Sequence, residues 1–255
     1  MRLLYGAGNW ALRFTLWLFA DYQVEGKENV PASGALLVVA NHQSNMDPPI
    51  LAASIPRSLR FPAKAELFKR NWSKLFLSVW GAFPLSRGIP DQRGYKSILE
   101  ELSRPQGGVM VFPEGTRTPQ GMRRAKRGIA TLAVRTGAII LPVGISGSEH
   151  MHSVMRVFKP QGHITVRIGS PFMVDLGSSR EDRQTKEVVT TEIMARIARL
   201  LPPEYRGYYR LSVESPDRVT APLPNQRTPS RSVRPAVSMA RPSKAKWFKR
   251  PNGSS

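Results

Sequence analysis

Continuous apolar runs separated by amphipathic stretches dominate the chain between residues 22 and 210. Five segments predict strands: residues 35–39, 59–63, 108–112, 138–145 and 164–168. The longest apolar runs are typical of strands buried on both faces, whereas residues 164–168 alternate between apolar and polar. Apolar residues at helical spacing predict helices, which occupy residues 48–55, 66–79, 94–102, 128–136 and a stretch ending near residue 200. Strands that alternate with helices predict a single layered α/β domain, with a largely parallel central sheet flanked by helices.

The last predicted helix has a recognisable start. Ser178 and Ser179 precede Glu181 and Asp182, which is the signature of a capping box. The sequence therefore predicts that a serine hydroxyl caps this helix.

The N-terminal segment, residues 1–21, is apolar and aromatic, with Asn9 and Arg13 as polar interruptions. The run is short for a helix that crosses a bilayer, and no convincing signal-peptide cleavage site follows it. Trp10 and Trp17 are typical of residues at the level of lipid headgroups. The segment is predicted to be a helix lying in a membrane interface. The alternative is a helix packed against the domain.

The composition changes near residue 210. Residues 212–255 contain nine Lys or Arg, two acids and seven prolines, and no apolar period survives in them. Such a segment cannot bury enough apolar surface to fold alone. The predicted organisation is a membrane-associating helix at 1–21, one domain at 22–210 and a disordered basic tail at 211–255.

Charge and cysteine content narrow the functional classes. The formal net charge is +20, which favours anionic partners such as nucleic acid, anionic lipid or phosphorylated substrates. The chain has no cysteine, which excludes disulfides, thiolate metal sites and cysteine nucleophiles. Only four histidines are present, and a His-rich metal site is not expected.

His42 follows the predicted strand at 35–39, at the strand end where α/β folds place their chemistry. Asp47 lies five residues later, so a turn through residues 43–45 is needed to bring the two side chains together. A carboxylate on one imidazole nitrogen would leave the other nitrogen free to act as a base. The alternative is structural, since Asp47 before Pro48 also fits a helix N-cap.

A second motif, Phe-Pro-Glu-Gly-Thr-Arg at residues 112–117, follows the strand at 108–112. Gly115 allows a close approach of a ligand to the backbone, and Arg117 offers a planar donor fork for phosphate. Glu114 can position that arginine or a substrate hydroxyl. Lys64 and Arg87, each just after a short predicted strand or loop, add positive charge. Together the residues predict a His–Asp base beside a phosphate pocket, suited to deprotonating a hydroxyl of a phosphorylated substrate.

The motifs and their order resemble those of the glycerolipid acyltransferases typified by 1-acylglycerol-3-phosphate acyltransferase. The family's Asn-His-x-x-x-x-Asp matches residues 41–47, and Phe-Pro-Glu-Gly-Thr-Arg matches residues 112–117 in full. A glycine-to-arginine loop resembles residues 81–87, although Ser86 stands where an acid is common, and a Val-Pro-Val-like strand resembles residues 141–143. The resemblance covers about residues 22–210 and says nothing about the tail.

The resemblance implies transfer of a fatty acyl group from acyl-CoA or acyl carrier protein to the hydroxyl of lysophosphatidic acid, giving phosphatidic acid. It assigns His42 as general base and Asp47 as its partner. The acceptor phosphate site would comprise Arg87, Glu114, Gly115 and Arg117, with Lys64 as an addition. No metal and no cofactor beyond the acyl donor are implied. The alternatives are another acceptor, such as glycerol-3-phosphate or another lysolipid, and a non-catalytic basic protein that binds membranes.

The substrates set the expected location. A lipid acceptor and a soluble thioester donor place the predicted enzyme at the cytoplasmic face of the cell membrane, as a peripheral or monotopic protein. Membrane lipids are the expected partners, and no specific nucleic acid is expected.

Overall fold

The computed structural model describes residues 2–85, 92–151, 160, 162–176, 182–214 and 219–222. The helices are α1 (Arg2–Phe19), α2 (Asp47–Ser54), α3 (Asn71–Val79), α4 (Gln92–Leu102), α5 (Gly128–Thr136) and α6 (Arg183–Arg199). The strands are β1 (Asp21–Glu25), β2 (Leu36–Ala40), β3 (Phe61–Lys64), β4 (Ala82–Leu85), β5 (Gly108–Val111), β6 (Ile139–Ser146), β7 (His163–Ile168), β8 (Phe172–Val174) and β9 (Thr220–Pro222). The predicted α/β class and mostly parallel sheet are confirmed.

The central sheet has the order β1-β7-β6-β2-β5, and β8 and β9 attach beside β6. β2 pairs in parallel with both β5 and β6, while β3 pairs in parallel with β4. A parallel bridge from Arg60 to Val109 places the β3–β4 pair beyond β5. The order β4-β3-β5-β2-β6 therefore runs in one direction, and the carboxyl ends of these five strands lie at one edge.

β2 forms the centre of the core because all five of its residues are buried. Leu36, Val38 and Ala40 pack into a cluster that includes apolar residues of α1 and α2. Leu37 and Val39 pack on the opposite face, in a cluster shared with α4, α5 and α6. Burying one such side chain contributes roughly 1.5–3 kcal/mol, so β2 is a rigid support for the loop that follows it.

Helix α1 has two apolar faces. Leu12 and Leu16 are buried in the core on the α2 side, whereas Trp10, Phe14 and Trp17 are 70%, 48% and 60% exposed. Arg13 donates to the carbonyl of Ala53 in α2, so its charge faces the domain. The helix is therefore packed on the domain through one face and leaves an aromatic face open. No helix in the described ranges is both long and apolar enough to cross a bilayer.

Two helix predictions are wrong in detail. Residues 66–79 do not form one helix, because a short 3-10 turn at Ala65–Phe68 ends before α3 begins at Asn71. The Ser73 hydroxyl is within hydrogen-bond distance of the carbonyls of Leu67 and Arg70, and the Leu67 carbonyl is one that a continuous helix would use for the Asn71 N–H. The cap of α6 is Asp182, whose side chain accepts from the Thr185 N–H. Ser178 and Ser179 lie outside the described residues.

The predicted boundary at residue 210 falls inside the folded part. Residues Leu211–Glu214 form a 3-10 turn, and β9 pairs with β8. The Val219 N–H also donates to the buried carboxylate of Glu192. Backbone pairing of this kind needs no apolar pattern, which is why the composition of the segment did not reveal it. Residues 223–255, where most of the predicted tail lies, are outside the described residues.

Candidate active site

Three predicted site residues, and one serine that the sequence did not indicate, lie along the carboxyl edge of the five parallel strands. His42 lies two residues beyond β2, Glu114 three residues beyond β5, and Ser148 two residues beyond β6. Lys64 ends β3, which is two strand positions from β2. Neighbouring strands are about 4.8 Å apart, so these side chains share one face of the molecule.

His42 and Asp47 form a close pair. The imidazole Nδ1 is 2.8 Å from the Oδ2 of Asp47, whose side chain is fully buried, while the side chain of His42 is 14% exposed. A carboxylate only accepts hydrogen bonds, so Nδ1 carries the proton and Nε2 presents a lone pair. Nε2 has no hydrogen-bond partner among the described residues. The geometry of the pair therefore suits a base that acts through Nε2.

The Asp47 carboxylate is held by more than the histidine. Its Oδ2 also accepts from the backbone N–H groups of Gln43, at 2.7 Å, and Ser44, at 2.8 Å. Its Oδ1 accepts from the Ser148 hydroxyl at 2.6 Å. Helix α2 begins at Asp47, but the carboxylate points back into the preceding turn instead of capping the helix. The N-cap alternative is therefore wrong for this side chain.

The turn that carries His42 is fixed by contacts with β6 and the loop beyond it. Asn41 is buried and exchanges two hydrogen bonds of 2.8 Å with the backbone of Ile145, one through each end of its amide. The Ser44 hydroxyl donates to the carbonyl of Met151. These contacts continue the strand pairing beyond β2 and hold the dyad on a rigid support.

Glu114 connects the second motif to the first. Its Oε1 accepts from the backbone N–H of His42 at 3.0 Å, and its Oε2 accepts from the Thr118 hydroxyl and the Arg123 N–H. Desolvation by burial raises the pKa of this carboxyl, against the opposing effect of its three hydrogen bonds. Both oxygens are used within the protein. The geometry therefore fits Glu114 as a tie between the two loops and not as a ligand of an anionic phosphate.

The ring of Phe112 stacks on the His42 imidazole, with centroids 4.2 Å apart and planes inclined by 23°. The stack restrains rotation of the imidazole about its side-chain bonds. Together with the Asp47 contact, it fixes the direction in which Nε2 points.

The remaining predicted phosphate ligands have different outcomes. Gly115 has φ 69°, a left-handed conformation that favours glycine, and Arg117 is exposed without a partner among the described residues. Lys64 is exposed at the end of β3. Arg87 lies outside the described residues. The loop conformation at Gly115 and the availability of Arg117 suit the predicted anion site.

Sequence reasoning missed Ser148, Thr118 and Asn41 as contributors to the site. Asn41 lies inside the first motif, so its position was visible although its role was not. Ser148 is a single serine 101 residues from Asp47, and no spacing signal connects the two. In the described part of the chain, no group of three or more His, Asp or Glu side chains is arranged to hold a metal ion.

Comparison with known proteins identifies similar sequences and structures. The model of the family described as Acyltransferase matches residues 21–146. The 1-acyl-sn-glycerol-3-phosphate acyltransferase of Bacillus subtilis is 32% identical over 162 residues, covering 63% of this chain and 78% of that protein. The Pseudomonas aeruginosa protein of the same name is 28% identical over 207 residues, covering 74% and 77%. The crystal structure of the 1-acyl-sn-glycerophosphate acyltransferase PlsC from Thermotoga maritima is 30% identical, with a TM-score of 0.59 and coverage of 74% and 76%.

Proposed function

The chain belongs to the Acyltransferase family, and we propose from this premise that it acylates the free hydroxyl of 1-acylglycerol-3-phosphate, giving phosphatidic acid. The observation that carries the proposal is the His42–Asp47 dyad, which presents Nε2 beside the Phe-Pro-Glu-Gly-Thr-Arg loop. The names of the similar proteins support the choice of acceptor. The dyad argues against a protein that only binds membranes, since such a protein needs no buried carboxylate that accepts four hydrogen bonds and orients a histidine.

In the proposed reaction, the acceptor hydroxyl oxygen attacks the carbonyl carbon of an acyl thioester while His42 Nε2 takes the hydroxyl proton. The Asp47 carboxylate stabilises the imidazolium that forms. Collapse of the tetrahedral intermediate breaks the carbon–sulfur bond, and His42 returns the proton to the leaving thiolate. The acyl group goes directly to the acceptor, so no acyl-enzyme is formed.

Arg117 and the left-handed turn at Gly115 are proposed to bind the acceptor phosphate. Lys64, at the end of β3, and Arg87, which the sequence motif suggests, are proposed as further cations. Parallel strand β4 ends at Leu85, two residues before Arg87. Acyl-CoA and acyl carrier protein are both proposed donors. They share the thioester on which the mechanism acts.

The same proposal includes a location at the cytoplasmic face of the membrane, as a peripheral or monotopic protein. Trp10, Phe14 and Trp17 lie on one face of α1, with the Trp10 and Phe14 rings stacked 5.9 Å apart. An exposed aromatic face suits the headgroup region of a bilayer. Exposed cations Lys69 and Lys74 are close in sequence to Leu75, which is 66% exposed, and each cation near anionic lipid contributes about 1 kcal/mol.

Acyl transfer with purified protein tests the function. Labelled acyl-CoA and labelled acyl carrier protein would each be offered with lysophosphatidic acid, glycerol-3-phosphate and lysophosphatidylcholine, using His42→Ala as the blank. We expect labelled phosphatidic acid, absent in the variant. Preferential labelling of glycerol-3-phosphate would assign a different acceptor. Near-normal turnover by His42→Ala would refute His42 as the general base.

Vesicle sedimentation tests the location. Replacing Trp10, Phe14 and Trp17 with serine should release the protein from anionic vesicles at high salt. High salt screens the attraction between cations and lipid headgroups, so only apolar insertion would hold the protein, and the variant lacks the inserting rings. Replacing Tyr208 and Leu211, which are 61% and 88% exposed elsewhere on the domain, provides the matched control. Deleting α1 is a poor test, since Leu12 and Leu16 belong to the core. Unchanged sedimentation of the triple variant would contradict the assignment of α1.

A further inference from the structure

The basic segment 123–127 divides its charges between two tasks. Arg124 and Arg127 both reach Glu187 of α6, at 2.7 Å and 3.7 Å. Lys126 lies between them in sequence, is exposed, and has no hydrogen bond or ion pair through its amine among the described residues. Its neighbours are therefore engaged on α6, while the Lys126 ammonium remains available.

The main chain and side chain of Lys126 are both tied to the Phe-Pro-Glu-Gly-Thr-Arg loop. The Lys126 N–H donates to the carbonyl of Pro113 at 2.9 Å. The side chain then lies alongside Gly115, so closely that a Cβ at this glycine would come 2.9 Å from Lys126 Cε and 3.0 Å from Nζ. Gly115 thus serves two purposes: its φ of 69° forms the turn, and its missing side chain leaves room for the lysine.

The same loop offers other groups suited to an anion. The backbone N–H groups of Thr116 and Arg117 donate to no protein acceptor in the described part of the chain, and the Arg117 guanidinium is exposed. Backbone N–H groups in a turn that contains a left-handed residue are a common element of phosphate sites. Lys126 Nζ lies against Gly115, the residue that immediately precedes Thr116 and Arg117.

A phosphomonoester carries about −1.5 to −2 charges near neutral pH, and one arginine neutralises only part of this. The Glu114 carboxylate next to Gly115 increases the need for a second cation. A compact ammonium can serve as a point charge for phosphate, complementing the planar fork of an arginine.

We propose that Lys126 is a ligand of the acceptor's phosphate, acting with Arg117 across the turn at Gly115. The inference deepens the proposed function and rests on it for the identity of the acceptor. Lys126 binds the phosphate before and after acyl transfer, so it contributes to acceptor affinity and leaves the chemical step unchanged.

Steady-state kinetics of Lys126→Ala test the inference, with Arg124→Ala as the matched control from the same segment. Loss of a charge-assisted contact should raise the KM for lysophosphatidic acid about ten-fold or more, with kcat within about two-fold and the donor KM unchanged. Arg124→Ala, whose charge is engaged by Glu187, should change the acceptor KM by less than about two-fold. Lys126→Arg should recover part of the affinity. Equal effects of the two alanine variants, or an effect on kcat or the donor KM alone, would overturn the inference.

A binding measurement without an acyl donor separates this inference from the proposed function. An amine-acylating reagent would label wild-type protein, and mass spectrometry would quantify modification at Lys126. Lysophosphatidic acid should protect Lys126, whereas lysophosphatidylcholine, which lacks a phosphomonoester, should not. Equal protection by both lipids would overturn the inference even if the protein acylates lysophosphatidic acid. Selective protection without acyl transfer would support Lys126 as a ligand of the phosphate and refute the proposed acyltransferase function.

Discussion

Replacing Asp47 with asparagine separates the charge of this residue from its structural contacts. The carboxylate accepts from two backbone N–H groups and His42 on Oδ2, and from Ser148 on Oδ1. An amide oxygen in the Oδ2 position can keep the first three of these donors. The amide nitrogen would then face the Ser148 hydroxyl, which can turn to accept. We therefore expect Asp47→Asn to fold with nearly unchanged thermal stability.

The loss of negative charge should appear in the chemical step. The charge centres of an imidazolium and a carboxylate in this contact are about 4 Å apart, an interaction of about 4 kcal/mol at an effective dielectric constant of ~20. The retained amide hydrogen bond recovers part of this, leaving about 3 kcal/mol and a kcat lowered by ~10². The expected loss is smaller than that of His42→Ala, which removes the base.

Release of free thiol from acyl-CoA, measured at saturating acceptor, gives kcat, and thermal unfolding of the same samples gives stability. Asp47→Ala is the informative contrast, because it leaves the Gln43 and Ser44 N–H groups unpaired in a buried site, at a cost of about 1–3 kcal/mol each. A kcat for Asp47→Asn within about three-fold of wild type would refute the dyad mechanism. So would a fall in kcat that merely follows a loss of folded protein.

Three further predictions address the surroundings of the dyad. Ser148→Ala removes the donor to Asp47 Oδ1, and we expect kcat to fall about five-fold with the acceptor KM unchanged. An unchanged kcat would show that this hydrogen bond does not contribute to the chemical step. Arg117→Ala should raise the acceptor KM about ten-fold at nearly constant kcat, and an effect confined to the donor KM would reject Arg117 as a phosphate ligand. Glu114 has a pKa raised above its ordinary value of 4.5, so its contribution to stability is fully present below that pH and is lost as pH rises through the raised value. Denaturant unfolding between about pH 4 and about pH 7 should show the free energy of unfolding of the wild type falling as pH rises, and falling less steeply in Glu114→Gln. Parallel curves for the two proteins would contradict this role of Glu114.

The central strands were predictable because parallel strands with both faces covered need continuous apolar sequence. β2, β5 and β6 satisfy this rule and were predicted within one or two residues. β1 is an edge strand that alternates exposed and half-buried positions and carries acids at both ends, so it lacked an apolar signal. It pairs with β7, and the paired residues Asp21 and His163 are 142 positions apart in the sequence, so no local pattern reveals the pairing.

The site was predictable where its residues are close in sequence. His42 and Asp47 are five residues apart, and the turn expected between them is present. The role of Glu114 was not accessible from sequence, because a carboxylate beside an arginine and a glycine suggests a ligand site equally well. Its three donors come from residues 42, 118 and 123, and only the fold brings them together. The membrane location remains a prediction.

The contact between α1 and α2 fixes the spacing between the exposed aromatic face of α1 and the His42–Asp47 pair. Arg13 is hydrogen-bonded to Ala53 near the carboxyl end of α2, while Asp47 begins the same helix. Six residues separate these positions, so about 9 Å of helix lies between the contact with α1 and the His42–Asp47 pair. At the proposed membrane location, with the rings of α1 among the lipid headgroups, this fixed spacing would hold His42 Nε2 at one level relative to the bilayer plane. Lipids whose hydroxyl lies at that level would be selected by height as well as by charge.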